Sequence, residues 1–372
     1  MAVERIGRTD VTALAEGAAV LGTGGGGNTY LAGLDLARVL SSVGTVEVLA
    51  PEALGADAWG PVVSGMGAPT VGIERLPTAG RFGRLVRAAE RAEGRRADFV
   101  AIGEIGGANA LRPLCAAAES GLPVVDADPM GRAFPELQMS TYMVCGVAPR
   151  PMVLNDGKGV ETLFAGVPDS ATAERYGRAL TWGMGGSTGL VLGKVTGAQV
   201  RRFGVPGTLS LAVRLGRAMA AARAGKRPTT EAIAEVVPAA RRLFHGKIVD
   251  VARRTAAGFA RGAIGLDGLG DDRGARLAID FQNEFLIARR EDRGGEAVCT
   301  VPDLLVLVEE ESGRALSTEL VRYGLRVVVL ALPAPRELRT PAALAAVGPS
   351  AFGYDVPYSP LAGDLLSRPD PA

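Results

Sequence analysis

The sequence has one histidine, His245, in 372 residues. A zinc site of two or three histidines is therefore excluded, and a Ser-His-Asp triad would have to use this residue. His245 follows a basic segment and precedes Gly246, a context that places it at the end of a helix spanning 229–244 rather than in the role of a base. Proton transfer must then fall mainly to carboxylates, Lys, Tyr or Cys. Cysteine is scarce too. Cys115, Cys145 and Cys299 are odd in number, far apart and without metal-site spacing, so they read as reduced thiols. Aromatic residues make up 5%, too few to give single-stranded nucleic acid a row of stacking platforms. Neither sign of charge prevails: the formal net charge is +1, with acids and bases interspersed. That argues against nucleic acid or a membrane surface as partner. The opening MAVERIGRTDVTALAEG has no signal-like apolar stretch, and no later run approaches the roughly 20 apolar residues of a membrane span. A cytoplasmic protein is expected.

What is present suffices for a large core, with 47% hydrophobic and 22% charged residues. The length predicts two domains, 1–166 and 167–365. Most of the functional signal gathers in residues 122–142, LPVVDADPMGRAFPELQMSTY. Leu122 to Val125 form a β-branched run suited to a strand buried on both faces, which stops at Asp126, Ala127, Asp128 and Pro129. Side chains alternate along a strand, so Asp126 and Asp128 share one side of the pleat. Arg132 and Glu136 follow within a turn. Acids and an arginine thus collect at the carboxyl end of a strand, where open α/β sheets keep their ligands. The competing reading is a plain strand-to-helix turn, with Asp128 as a cap and Arg132 paired to an acid.

The first half alternates strands and helices. Thr9 or Asp10 can cap a first helix through Leu21. The run Gly24, Gly25, Gly26, Gly27 and Asn28 comes next and precedes a second amphipathic helix. A dinucleotide fingerprint needs a strand before such a loop, and a P-loop needs Lys and Ser/Thr after it, so no nucleotide cofactor is expected. The loop still suits a carboxylate or oxyanion, because a helix start aims backbone N–H groups forward. Strands are predicted at 45–49, 61–74 (broken by glycines), 98–102, 122–125 and 152–154, with helices at 81–93 and 109–120. This order predicts a three-layer α/β/α domain with a mostly parallel sheet. Glu104, in GEIGGAN, ends the strand before Asp126 and Asp128 end theirs, so the three can face one cleft.

Beyond residue 165 the pattern changes. Helices at 171–182, 207–224 and 229–244 lead into segments with turn residues about every ten positions, an all-β signature. The second domain is therefore predicted to have a β-barrel-like core with flanking helices. Within it, Phe281-Gln282-Asn283-Glu284-Phe285 stands out. In a strand, Asn283 points the way its apolar neighbours point and needs a ligand or the first domain as partner; equally, Asn283 can cap a bulge. Asn283 and Glu284 are taken as substrate-binding candidates.

The motifs GTGGGG, SGMGAPTVGIE, EIGGANAL, DADPMGRAFPELQMSTY, FQNEF and VGPSAFGYD, in this order, resemble the S-methyl thiohydantoin desulfurase family, also described as hydantoinase- or oxoprolinase-like. The resemblance covers nearly the whole chain. It implies an N-terminal α/β domain, a C-terminal domain with a β-barrel core, and hydrolysis of an S-methylated thiohydantoin to a hydantoin with release of methanethiol. Such chemistry needs a base for water, an acid for ring nitrogen or sulfur, and donors for the ring oxygen. The residues expected to supply them are Asp126 and Asp128 as base or metal ligands, Glu104 and Glu136 as partner acids, and Arg132 as charge stabiliser. Gly24 to Gly27, with Asn28, would hold a substrate carboxylate or carbonyl. If a divalent metal such as zinc takes part, Asp126, Asp128 and Cys145 are its candidate ligands, an unusual set for zinc. The expected partners are a small-molecule substrate and further copies of the chain. Two other functions fit the same residues: a ring-opening amidohydrolase, and a non-catalytic binding protein for a small cyclic amide.

Overall fold

The computed structural model of the chain describes residues 2–74, 78–256 and 259–366. Its N-terminal sheet has a parallel centre. Thr45–Leu49 runs parallel to Val124–Val125, and Trp59–Gly67 to Ala101–Ile102. A parallel bridge between Val100 and Val124 joins the two pairs. These are the β-branched runs of the sequence, and Val63, Val100, Ile102 and Val124 are fully buried, as strands covered on both faces require. Helices Val11–Leu21, Thr29–Val43, Arg81–Glu93 and Arg112–Ser120 share one core with them through Leu14, Leu36, Leu85 and Leu114.

The flanks of this sheet are antiparallel. Ser187–Thr196 pairs antiparallel with Trp59–Gly67, Met152–Asn155 continues outward from it, and Glu161–Phe164 follows. Arg5–Gly7 closes the other edge, antiparallel to Thr45–Leu49. The sheet is thus parallel only in part. Residues 156–160 join Met152–Asn155 to Glu161–Phe164, far too few for the crossover a parallel pair needs. The predicted strand over 61–74 is also shorter, because Pro69–Glu74 is a helix.

The second half builds a seven-stranded antiparallel sheet. Its order is Glu296–Thr300, Glu284–Arg290, Arg276–Gln282, Phe259–Gly268, Arg241–Ala256, Arg326–Leu332 and Leu304–Glu309. It curls into a half-barrel around Phe244, Ile264, Ile279, Phe285, Leu305 and Val329. The helix predicted over 229–244 ends sooner, as Thr229–Val236. Val237 leaves helical geometry at φ −121° and ψ 85° ahead of Pro238, whose ring crowds a helical predecessor. His245 accordingly lies in strand Arg241–Ala256 opposite Val328, with Nε2 3.4 Å from Glu310, and not at a helix end.

Helix Thr208–Ala224 crosses Val11–Leu21 at backbone contact: a Cβ on Gly17 would lie 1.7 Å from the Ala212 carbonyl oxygen. Among the described residues no helix is long and apolar enough to cross a membrane.

Candidate active site

A cavity of about 410 Å³ opens beyond the carboxyl ends of the parallel strands, the usual ligand position in such sheets. Ser64 to Ala68 end one of these strands and line it; Gly103 and Glu104 end the neighbouring one. Gly26, Gly27 and Asn28 close one side, and Asn283 and Glu284 reach in from the half-barrel. Leu31, Met66, Met130 and Phe134 give the wall its apolar part.

Two buried carboxyl groups face this space. Glu104 Oε1 accepts from the Asn109 side-chain amide at 2.9 Å, and Oε2 accepts from the Phe134 N–H at 3.2 Å. Glu284 is 2% exposed; the Gly26 N–H donates to it, while among the described residues its Oε2 has no hydrogen-bond partner. Burial pushes Glu104 up to about 7, against the pull of Asn109 and Phe134; Asp128 adds to the push, and Arg112 opposes it. Glu284 is held well above the usual carboxyl range by burial and then by the charge of Glu104, with Arg132 opposing. With the charge of Glu104 holding the proton on its neighbour, the pair favours an ionised Glu104 beside a protonated Glu284.

The glycine run has its explanation here. A Cβ on Gly25 would lie 1.9 Å from Glu284 Oε1, and one on Gly26 would lie 2.3 Å from the Gly106 carbonyl oxygen. Three segments meet in this loop with no room for side chains. Gly24 packs on the Phe285 ring, and neither Gly24 nor Gly25 lines the cavity; Gly26, Gly27 and Asn28 do. Asn28 also caps its helix, accepting from the Leu31 N–H at 2.9 Å.

The aspartates are placed otherwise than the strand-end pattern predicts. Asp126 Oδ1 accepts from the N–H groups of Leu209 at 2.8 Å and Ser210 at 3.1 Å, and Oδ2 accepts from the Ser210 hydroxyl. It therefore caps helix Thr208–Ala224 and does not line the cavity. Asp128 Oδ2 accepts from Ile105, Met130 and Gly131 N–H groups, each at 3.0 Å, which pins the turn behind Glu104. Asp128 is buried outside the cavity lining, and burial pushes it up to about 7. Arg132 is fully buried as well and, among the described residues, forms no ion pair. Its Nη1 donates to the carbonyls of Pro302 at 3.0 Å and Asp303 at 2.8 Å, and Nη2 donates to that of Phe285 at 3.3 Å. Glu136 does line the cavity and accepts from the Gln138 amide.

Asn283 is neither mid-strand nor buried among like-facing phenylalanines. The chain reverses there, with Gln282 paired to Glu284, and Asn283 takes φ +59°. Its Oδ1 accepts from the Ala260 N–H at 3.0 Å. Asn tolerates this left-handed conformation, and the reversal turns Glu284 into the cavity.

Asp126, Asp128 and Cys145 do not fit a metal. N–H and O–H donors hold both carboxylates, and Cys145 is exposed away from the cavity. Among the described residues no group of three or more His, Cys, Asp or Glu side chains is placed to hold a metal ion.

Two residues of the site carry no sequence prediction. Asn109 joins Glu104 to Arg112, whose Nη1 donates to Asn109 Oδ1 at 2.6 Å. Arg112 lines the cavity and, among the described residues, forms no ion pair. The available signal was their spacing of three positions at a helix start, which brings side chains onto one face.

The profile of the S-Me-THD-like N-terminal domain matches residues 9–166, and that of the S-Me-THD-like C-terminal domain matches residues 168–361. No curated protein matches the chain. A protein from Chromobacterium violaceum, known from its X-ray crystal structure, is similar at TM-score 0.80 and 26% identity; the match covers 96% of this chain and 100% of that one.

Proposed function

The chain belongs to the S-Me-THD-like family, and from that premise and the paired carboxyls of the cavity we propose that it hydrolyses the C–S bond of an S-methyl thiohydantoin. The observation that supports this most is the pairing of Glu104 with Glu284, one in each half of the chain, at unequal proton affinity. The reacting carbon lies between two ring nitrogens and carries the methylthio group. In this reading Glu104 is ionised and takes a proton from water as the oxygen bonds to that carbon. Glu284 is protonated and delivers its proton to the ring nitrogen. On collapse of the tetrahedral intermediate the C–S bond breaks and the hydroxyl proton passes to Glu284. The proton held by Glu104 leaves on sulfur as methanethiol, and both carboxyls regain their first state. Asn28 and the Gly27 backbone are assigned to hold the ring oxygen.

The test gives purified protein an S-methyl thiohydantoin and follows free thiol and ring-opened acid together. Methanethiol with an intact hydantoin ring is expected. A ring-opened carboxylate without thiol would replace this reading with an amidohydrolase. A thermal shift without turnover would replace it with a binding protein.

A further inference from the structure

Glu104 does not hold its own orientation. It stands in the turn after the two-residue strand Ala101–Ile102, between Gly103 and Ile105. What fixes Oε1 is the Asn109 amide, and what fixes that amide is its other end. Asn109 Oδ1 accepts from the Gly65 N–H at 3.0 Å and from Arg112 Nη1 at 2.6 Å. With two donors on that side the oxygen must face them, so the NH2 group must face Glu104. An amide turned the other way would set three N–H donors against each other and two oxygens against each other.

The Arg112 guanidinium is seated by shape. It lies over the Gly65 backbone, where a Cβ would come 2.0 Å from Nη1 and 2.7 Å from Cζ. On its other side a Cβ on Gly27 would come 3.8 Å from Nη2. Burial without an ion pair lowers the Arg112 pKa from its usual range, while the charge of Glu104 supports it.

We propose that Asn109 and Arg112 are positioning residues: Arg112 fixes the Asn109 amide, and Asn109 fixes the Glu104 carboxylate in its proton-accepting orientation. What Glu104 accepts rests on the hydrolytic reading above; the relay itself rests on these contacts. The charged and titratable groups around Glu104 are Asp128 behind the turn, Glu284 from the half-barrel, and Arg112 and Arg132. Only the Arg112 arm reaches Glu104 through a side-chain amide.

The experiment measures kcat and KM for methanethiol release on both sides of neutral pH in wild type, Asn109→Ala, Arg112→Gln, Arg112→Lys and Gly65→Ala. Carboxyl carbon NMR of glutamate-labelled protein runs beside it, with the Glu104 signal assigned by its loss in Glu104→Gln. Asn109→Ala and Arg112→Gln should move the acidic limb of kcat, and the Glu104 titration, upward by about one pH unit. They should also lower plateau kcat by about tenfold, with little change in KM. Arg112→Lys should recover part of the shift. Gly65→Ala displaces the guanidinium while keeping every polar group, and should shift the limb in the same direction. An unmoved limb and titration in folded Asn109→Ala and Arg112→Gln overturns the relay, and so does an effect confined to KM. If wild type releases no methanethiol the hydrolytic reading fails, and the NMR titration alone still decides the relay.

Discussion

Glu104 and Asp128 show how alike two carboxyls can be in proton affinity and how unlike in what they can do. Both are buried and both are pushed up to about 7. Asp128 meets only backbone and neighbouring side chains, whereas Glu104 borders a cavity large enough for a heterocycle. Glu104→Gln is therefore expected to lower kcat by about 100-fold or more with the fold intact, the scale for losing a general base. Wild-type kcat should rise with pH through about 7 as Glu104 ionises. The same shift has a stability consequence of opposite sign. A folded-state pKa raised above 4.5 means the native protein holds this proton more tightly than the unfolded chain. The stability it contributes is fully present below about 4.5 and is lost as pH rises to about 7. A pH series of urea midpoints should fall less steeply over that window in Glu104→Gln. An unchanged kcat and an identical pH slope in the variant would remove Glu104 from both roles.

At the level of elements, what was legible in the sequence was local. The buried β-branched strands and the helix over 207–224 follow from short-range pattern, and so does the turn-rich texture of the half-barrel. Asp126 shows where local reading stops. Its partners, Leu209 and Ser210, lie more than eighty positions along the chain, and no nearby residue signals them. Two aspartates at a strand end therefore read as a site, while one is the N-terminal cap of a distant helix. Asp126→Ala is expected to cost about 2 kcal/mol, since it removes a cap and strands two buried N–H groups. The urea midpoint should fall while kcat stays at the wild-type value. A hundredfold loss of kcat at unchanged stability would instead return Asp126 to the chemistry. Asn283 shows a different limit: FQNEF stands out in the sequence, but the period of two of a strand does not carry through it, because the chain turns back at Asn283.

At the scale of the molecule, the candidate site exists only where the two halves of the chain are joined. Glu104 and the glycine loop come from the first half, Glu284 and Asn283 from the second, and strand Ser187–Thr196 lies in the sheet begun by the first half. No sequence window contains such a joint, so nothing near Arg132, expected as a charge stabiliser, signals the partners it meets there. It ties the turn after Asp128 to the half-barrel through the carbonyls of Phe285, Pro302 and Asp303, next to Glu284. Arg132→Leu leaves those buried acceptors without donors, at an expected cost of about 3 kcal/mol or more. It also removes the positive charge that opposes the rise of the Glu284 pKa, so Glu284 should hold its proton still more tightly. If the halves are one cooperative unit, scanning calorimetry of wild type gives a single transition, and Arg132→Leu lowers its midpoint without splitting it. Two separated transitions in the variant would mean that each half folds alone and that Arg132 merely docks them. Activity should then survive below the lower transition and vanish with it, because Glu104 and Glu284 meet only while the joint holds.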